Sequence, residues 1–120
     1  MATILVIEDT PANLALATKL LAAAGHEVLA SDTAAAGIAL ARERQPDLVL
    51  MDLGLPDMDG WQALRALRAE EGTGCLRVVA FTADAMVGDR ERALAGGFDG
   101  YITKPVEFAT FAESVEGYLP

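Results

Sequence analysis

A doubly wound α/β domain, with five parallel strands covered by helices on both faces, is predicted by three observations on this chain. Three short apolar runs, ILVI at 4–7, LVLM at 48–51 and VVAF at 78–81, lack polar alternation, as strands buried on both faces do. Segments with helical spacing fill the intervals between strands. Each apolar run also gives way to polar residues, which places the chain's chemistry at one end of the sheet.

The elements follow in order. After the first run, Thr10 is positioned to cap a helix and Pro11 suits its first turn, where no backbone N–H is needed. Leu14, Ala17, Leu21 and Ala24 mark one face of that helix, and Gly25 ends it. A weaker strand candidate spans Glu27–Ser31. Ile38 and Ala41 mark a second helix, which must stop near Gln45 because Pro46 disfavours helical backbone before it. The LVLM run is the third strand. Trp61, Leu64 and Leu67 mark a third helix ahead of the Gly72-Thr-Gly74 turn. The VVAF run precedes a fourth helix expected over 86–94 and closed by Gly96-Gly97. Gly100–Thr103 is the fifth strand, and Phe108, Phe111, Val115 and Leu119 mark a last helix. Strict alternation implies parallel strands with right-handed crossovers, and five of them suit the flavodoxin-like (βα)5 order 2-1-3-4-5. At 120 residues the chain fits one core, so a single domain over 1–120 without an output domain is expected.

Composition narrows the function. Apolar residues make up 52%, and 18 acidic against 9 basic residues give a formal net charge of -9. Such a surface repels phosphate backbones and anionic lipid, so neither nucleic acid nor membrane is an expected partner. Cys75 is the only cysteine, which excludes an intrachain disulfide and a multi-cysteine zinc site; it reads as a small, partly buried residue. His26, the only histidine, reads as a surface turn residue. The N-terminus has no basic leader, and no apolar run approaches the ~20 residues that span a bilayer. A cytoplasmic protein is expected.

Ligands of such sheets bind beyond the carboxyl ends of the strands, where the strand order reverses. Glu8 and Asp9 follow the first strand, Asp52 closes the third, Thr82 closes the fourth, and Lys104-Pro105 follows the fifth. Strands one, three, four and five are neighbours in the expected order, so these residues converge on one rim. At an effective dielectric of about 20, one like-charge pair ~4 Å apart costs on the order of 4 kcal/mol. A dication offsets that repulsion, and hard oxygen ligands suit Mg²⁺. Lys104 adds positive charge and Thr82 a hydroxyl donor. Phosphoryl transfer needs mainly positioning and charge neutralisation, and a carboxylate nucleophile can form an aspartyl-phosphate.

Four motifs carry a resemblance: VIEDTPANL, DLVLMDLGLPDMDG, VVAFTA and GYITKP. Together they resemble, over essentially the whole chain, the receiver domains of two-component response regulators, of the stand-alone type. The resemblance implies that Asp52 accepts a phosphoryl group from a histidine on a partner kinase or phosphotransfer protein. It implies Mg²⁺ held by Asp9, Asp52 and the Gly54 carbonyl, with Glu8 acting through water. Lys104 is then the residue that neutralises the phosphoryl group, and Thr82 and Tyr101 are the switch residues. Ala83 is small, as the family pattern prefers, and Pro105 is expected to follow a cis peptide bond. The switch face implied is the fourth helix, fifth strand and fifth helix, around 86–91, Tyr101 and 108–111, and its output is a downstream protein target. The segment FTADAMVGDRERALAGGFDGYITKP looks like that of stand-alone cell-cycle receivers and of receivers on hybrid kinases, which favours relay or kinase regulation.

Competing readings are weaker. A haloacid-dehalogenase-type phosphatase using Asp52 as nucleophile wants a second Asp two residues on, where Gly54 stands. A flavin-binding domain wants a Ser/Thr/Gly-rich first loop, where Glu8 and Asp9 would repel a phosphate. LPDMDG resembles part of a calcium loop, but the Glu required six residues after Gly60 is Ala66. A docking module that is not phosphorylated remains the other alternative.

Overall fold

In the computed structural model, which describes residues 2–82, 89–104 and 106–120, the alternation of apolar runs and helical segments becomes ten elements. They are β1 (Thr3–Ile7), α1 (Pro11–Ala23), β2 (Glu27–Ser31), α2 (Ala34–Arg44), β3 (Leu48–Asp52), α3 (Gly60–Ala69), β4 (Val78–Thr82), α4 (Asp89–Ala95), β5 (Gly100–Thr103) and α5 (Phe111–Glu116). The strands form one parallel sheet in the order β2-β1-β3-β4-β5, the flavodoxin-like arrangement expected.

Alternate side chains of a strand face opposite sides, and here both sides are apolar. Leu5, Ile7, Val49, Met51, Val78 and Ala80 face α2, α3 and α4, where they meet Ile38, Leu64, Leu67 and Ala93. Ile4, Val6, Leu48, Leu50, Val79 and Phe81 face α1 and α5, meeting Ala17, Leu21, Phe111 and Val115. Central strands buried on both faces are the reason these runs carry no polar alternation.

The sequence reading needs five corrections. Helix α5 spans only Phe111–Glu116, after a turn in which the N–H groups of Thr110 and Phe111 both point back to the Glu107 carbonyl; Phe108 and Leu119 lie outside it, and Phe108 is 72% exposed. Thr10 occupies the cap position of α1 but its side chain makes no cap bond; its carbonyl accepts from Leu14. Ala24 falls at the C-cap rather than on the core face. Cys75 is exposed. His26 is not a loose surface residue: its side chain is only 7% exposed, Nδ1 accepts from the Ala2 N–H at 3.1 Å, and Nε2 meets Glu116 at 2.8 Å. Of the fourth helix expected over 86–94, the first residues lie outside the described ones, as do Ala83 and Pro105.

The loop after β3 is fixed by its neighbours. Asp57 accepts from the N–H groups of Ala34 (2.9 Å) and Ala35 (3.0 Å), and Thr33 Oγ1 accepts from Ala36 (3.2 Å), so donors that a helix start leaves without partners are satisfied. These bonds hold the Asp57 carboxyl below its usual range. Asp59 starts α3 through a reciprocal capping box with Gln62. Gly60 donates to the Leu53 carbonyl at 2.9 Å, and a Cβ there would lie 2.7 Å from Leu53 Cα and 2.9 Å from the Asp52 carbonyl oxygen. Those obstacles are backbone. Gly60→Ala is therefore expected to cost about 1–3 kcal/mol in urea unfolding. Gly54→Ala, whose Cβ would meet only Asp52 Oδ1 at 3.9 Å, should be far milder; equal losses would refute the packing argument.

Candidate functional site

Because the strands are parallel, their carboxyl ends share one rim, and the register sets which residues meet there. Ile7 pairs with Met51, Asp52 with Phe81, and Thr82 with Thr103. The ladder extends one residue past two strands: Glu8 N–H donates to the Ser31 carbonyl at 3.0 Å, and Lys104 N–H to the Thr82 carbonyl at 2.8 Å. Backbone bonding thus fixes Glu8 and Lys104 before their side chains make any contact.

Those side chains converge. Lys104 Nζ donates to both oxygens of Glu8 at 2.8 Å and to Asp52 Oδ2 at 3.2 Å. The other oxygen of Asp52, Oδ1, accepts from the Gly54 N–H at 2.9 Å. Asn13 Nδ2 donates to Glu8 Oε1 at 3.1 Å. Glu8 is fully buried and Asp52 is 6% exposed, whereas Asp9 is exposed at the mouth. Lys104 Nζ also lies 5.0 Å from the centroid of the Phe81 ring, within cation–π range. Glu8, Asp9 and Asp52 each offer an oxygen within 4.8 Å of the others. An all-oxygen donor set on crowded carboxylates fits a hard divalent cation.

Of the residues singled out in the sequence, Glu8, Asp9, Asp52, Gly54 and Lys104 are therefore together. Thr82 is buried at the end of β4. Tyr101 is half-buried against the α2–α3–α4 side of the core, and its carbonyl accepts from the Tyr118 hydroxyl at 3.4 Å. Pro105 and Ala83 lie outside the described residues. Sequence reasoning missed Asn13. It stands inside the VIEDTPANL motif, in the first turn of α1, but its link to Glu8 depends on how that turn is set against β1.

A family model described as the response regulator receiver domain matches residues 4–116. The chain belongs to this family. Among relatives of this receiver, the polar-differentiation response regulator DivK of Brucella abortus is 37% identical over 117 residues, covering 98% of this chain and 95% of the relative. DivK of Brucella suis matches to the same extent. The receiver domain of a sensor histidine kinase from Pseudomonas aeruginosa, solved with a magnesium ion coordinated in its active site cleft, is 32% identical. It superposes with a TM-score of 0.86 over 98% of this chain and 96% of that one. A chemotaxis response regulator of Vibrio cholerae, 22% identical, gives a TM-score of 0.91 over 99% of both chains, a likeness of fold alone. No helix among the described residues of the receiver is long and apolar enough to cross a membrane.

The carboxylates of the receiver ionise unequally. Burial pushes Glu8 up to about 7, with the hydrogen bond to Asp52 adding to it, against the pull of Lys104 and Asn13. Burial and Asp52 also raise Asp9. Burial pushes Asp52 upward as well, but the hydrogen bonds with Glu8 and the Gly54 N–H, and the charge of Lys104, outweigh it and leave Asp52 below its ordinary value. The pair thus resolves its repulsion by keeping a proton on Glu8 and the charge on Asp52.

This division sets a pH dependence for the metal-free receiver. From 4.5, the ordinary value of Glu8, up to about 7, unfolded Glu8 has lost its proton and folded Glu8 retains it, so stability falls as pH rises through that window. Asp52 acts in the opposite sense, contributing stability that is lost as pH falls through its lowered folded value. In EDTA, urea unfolding should show stability declining between about pH 5 and 7.5, by on the order of 3 kcal/mol at most. Glu8→Gln should flatten the decline; a slope left unchanged would place the retained proton elsewhere.

Proposed function

We propose that this receiver is a phosphorylation switch in which Asp52 attacks the phosphorus of a phosphohistidine on a partner kinase or histidine phosphotransfer protein. The P–N bond breaks, its electron pair stays on the imidazole, and an aspartyl-phosphate forms. The observation that carries this reading is the state of Asp52. Its carboxylate is nearly buried, held between the Gly54 N–H and Lys104 Nζ, and, against the upward push of burial, kept below its ordinary pKa by Glu8, the Gly54 N–H and Lys104. A nucleophile needs an unprotonated oxygen, and the bond from Lys104 to Asp52 supports its role in neutralising charge on the incoming group.

Asp9, Asp52 and the Gly54 carbonyl would hold Mg²⁺, with Glu8 reaching it through water. Bound there, the ion would neutralise charge on the carboxylates and the phosphoryl oxygens. Support comes from the oxygen cluster itself, from the magnesium in the Pseudomonas aeruginosa receiver and from the Mn²⁺-bound form of the response regulator Rcp1, 25% identical with a TM-score of 0.78. Thr82 and Tyr101 report the phosphoryl group to α4, β5 and α5, whose altered surface engages a protein target or passes the group along a relay. A ligand can shift such a switch only by its differential interaction with the two states. We read residues 1–120 as one receiver unit that catalyses only its own phosphorylation and dephosphorylation, works in the cytoplasm, and binds neither nucleic acid nor membrane, in keeping with its net charge of -9.

Two measurements test the reading. Acetyl phosphate with Mg²⁺ should add one phosphoryl mass, labile to hydroxylamine, to the wild type and none to Asp52→Asn; a gain persisting in the variant would move the acceptor elsewhere. Mg²⁺ should also raise the melting temperature, because it binds the folded state. Asp9→Ala should melt higher than wild type without metal and respond less to it. If that variant were no more stable in EDTA, carboxylate crowding would not be the force shaping the pocket.

A further inference from the structure

We infer that Asn13 is a positioning residue for this site: its side-chain amide holds the Glu8 carboxylate in the orientation that cation binding requires. The inference rests on the metal-dependent reading above and adds a residue to it. Glu8 is fully buried, and among the described residues the side-chain hydrogen bonds it receives come from Lys104, on both oxygens, and Asn13, on Oε1. These two ties differ in kind. Lys104 is shared with Asp52, and to neutralise an incoming phosphoryl group it must loosen its hold on the carboxylates. Asn13 has no such second duty. Glu8 has three side-chain torsions, so without a fixed donor its carboxylate would lose its orientation whenever Lys104 moved.

The chemistry of the amide suits this task. An ionised carboxylate only accepts hydrogen bonds, so the nitrogen of Asn13 must face Glu8 whenever the site is charged. An amide donates without adding positive charge, whereas Lys or Arg at this position would compete with a cation for the cluster. Its placement is rigid: Asn13 is the third residue of α1, after Pro11 has started the helix, and the next N–H, that of Leu14, is bonded to the Thr10 carbonyl at 3.0 Å. Groups that orient metal-binding side chains from behind commonly change metal affinity by about 10–100-fold when removed.

The test is a double-mutant cycle on the full chain, read by calorimetric titration with Mg²⁺. Asn13→Ala is well suited, because Ala is the best helix former and a folded variant is expected. Asn13→Ala should weaken Mg²⁺ binding about tenfold, and the Mg²⁺ needed for half-maximal phosphorylation by acetyl phosphate should rise in step. On a Glu8→Ala background the same substitution should change the Mg²⁺ Kd by less than about twofold, which a general structural role would not produce. Equal affinity in wild type and Asn13→Ala would overturn the inference, as would an equal loss on both backgrounds. Failure of the wild type itself to bind Mg²⁺ would instead overturn the metal reading on which the inference rests.

Discussion

Repulsion among Glu8, Asp9 and Asp52, held on one rim with the single ammonium of Lys104 between two of them, is the constraint on which the rest of this receiver depends. Parallel strands supply the rim, because only they bring all their carboxyl ends to one edge. Backbone bonds then prevent the charges from moving apart: Glu8 is tied to Ser31 and Lys104 to Thr82 by extensions of the sheet. The protein answers the repulsion in two ways, by a proton retained on Glu8 and by the bonds of Lys104. Both answers are reversible, and a cation can replace either. Crowded carboxylate oxygens of this kind suit a hard divalent cation.

The same geometry explains why the surroundings are rigid where they are. The segment after Asp52 presents the Gly54 N–H to the Asp52 carboxylate and also turns into α3. Asp57 ties it to the start of α2, Asp59 and Gln62 close the start of α3, and Gly60 lets the chain pass against the backbone of residues 52 and 53. A loop bonded to two helices keeps Gly54 and the Asp52 carboxylate in place with little conformational freedom left to lose on binding. Tyr101 is half-buried, and its carbonyl holds a long 3.4 Å bond from Tyr118; Phe108, nearby in sequence, is exposed. The Asp52 side of the pocket is thus fixed by backbone and capping bonds.

Much of this was legible in the chain because it depends on period and position. The unbroken apolar runs at 4–7, 48–51 and 78–81 require burial on both faces, and their alternation with helical segments leaves few topologies. The same runs locate Glu8, Asp52 and Thr82, since whatever follows a parallel strand lies on the ligand-binding rim. Lys104 was found in that way from a much weaker strand. Errors fell where local pattern competes with tertiary contacts. Phe108 keeps helical phase with Phe111 and Val115, yet the turn bonds from Glu107 start the helix after it. His26 occupies a turn, but it is buried because Ala2 and Glu116, far away in sequence, close on its ring.

The sheet, its strand order and the set of acidic, hydroxyl and basic residues on the rim are legible along the chain, because periodicity and strand ends are properties of local order. How those residues share hydrogen bonds comes from the packing of distant elements: Lys104 Nζ donates to both oxygens of Glu8, Asp57 serves α2, and Asn13 reaches back to Glu8. Such pairings span 5 to 96 positions along the chain. They depend on elements packed by the core being placed to within a few tenths of an ångström, and no spacing rule within one segment encodes them.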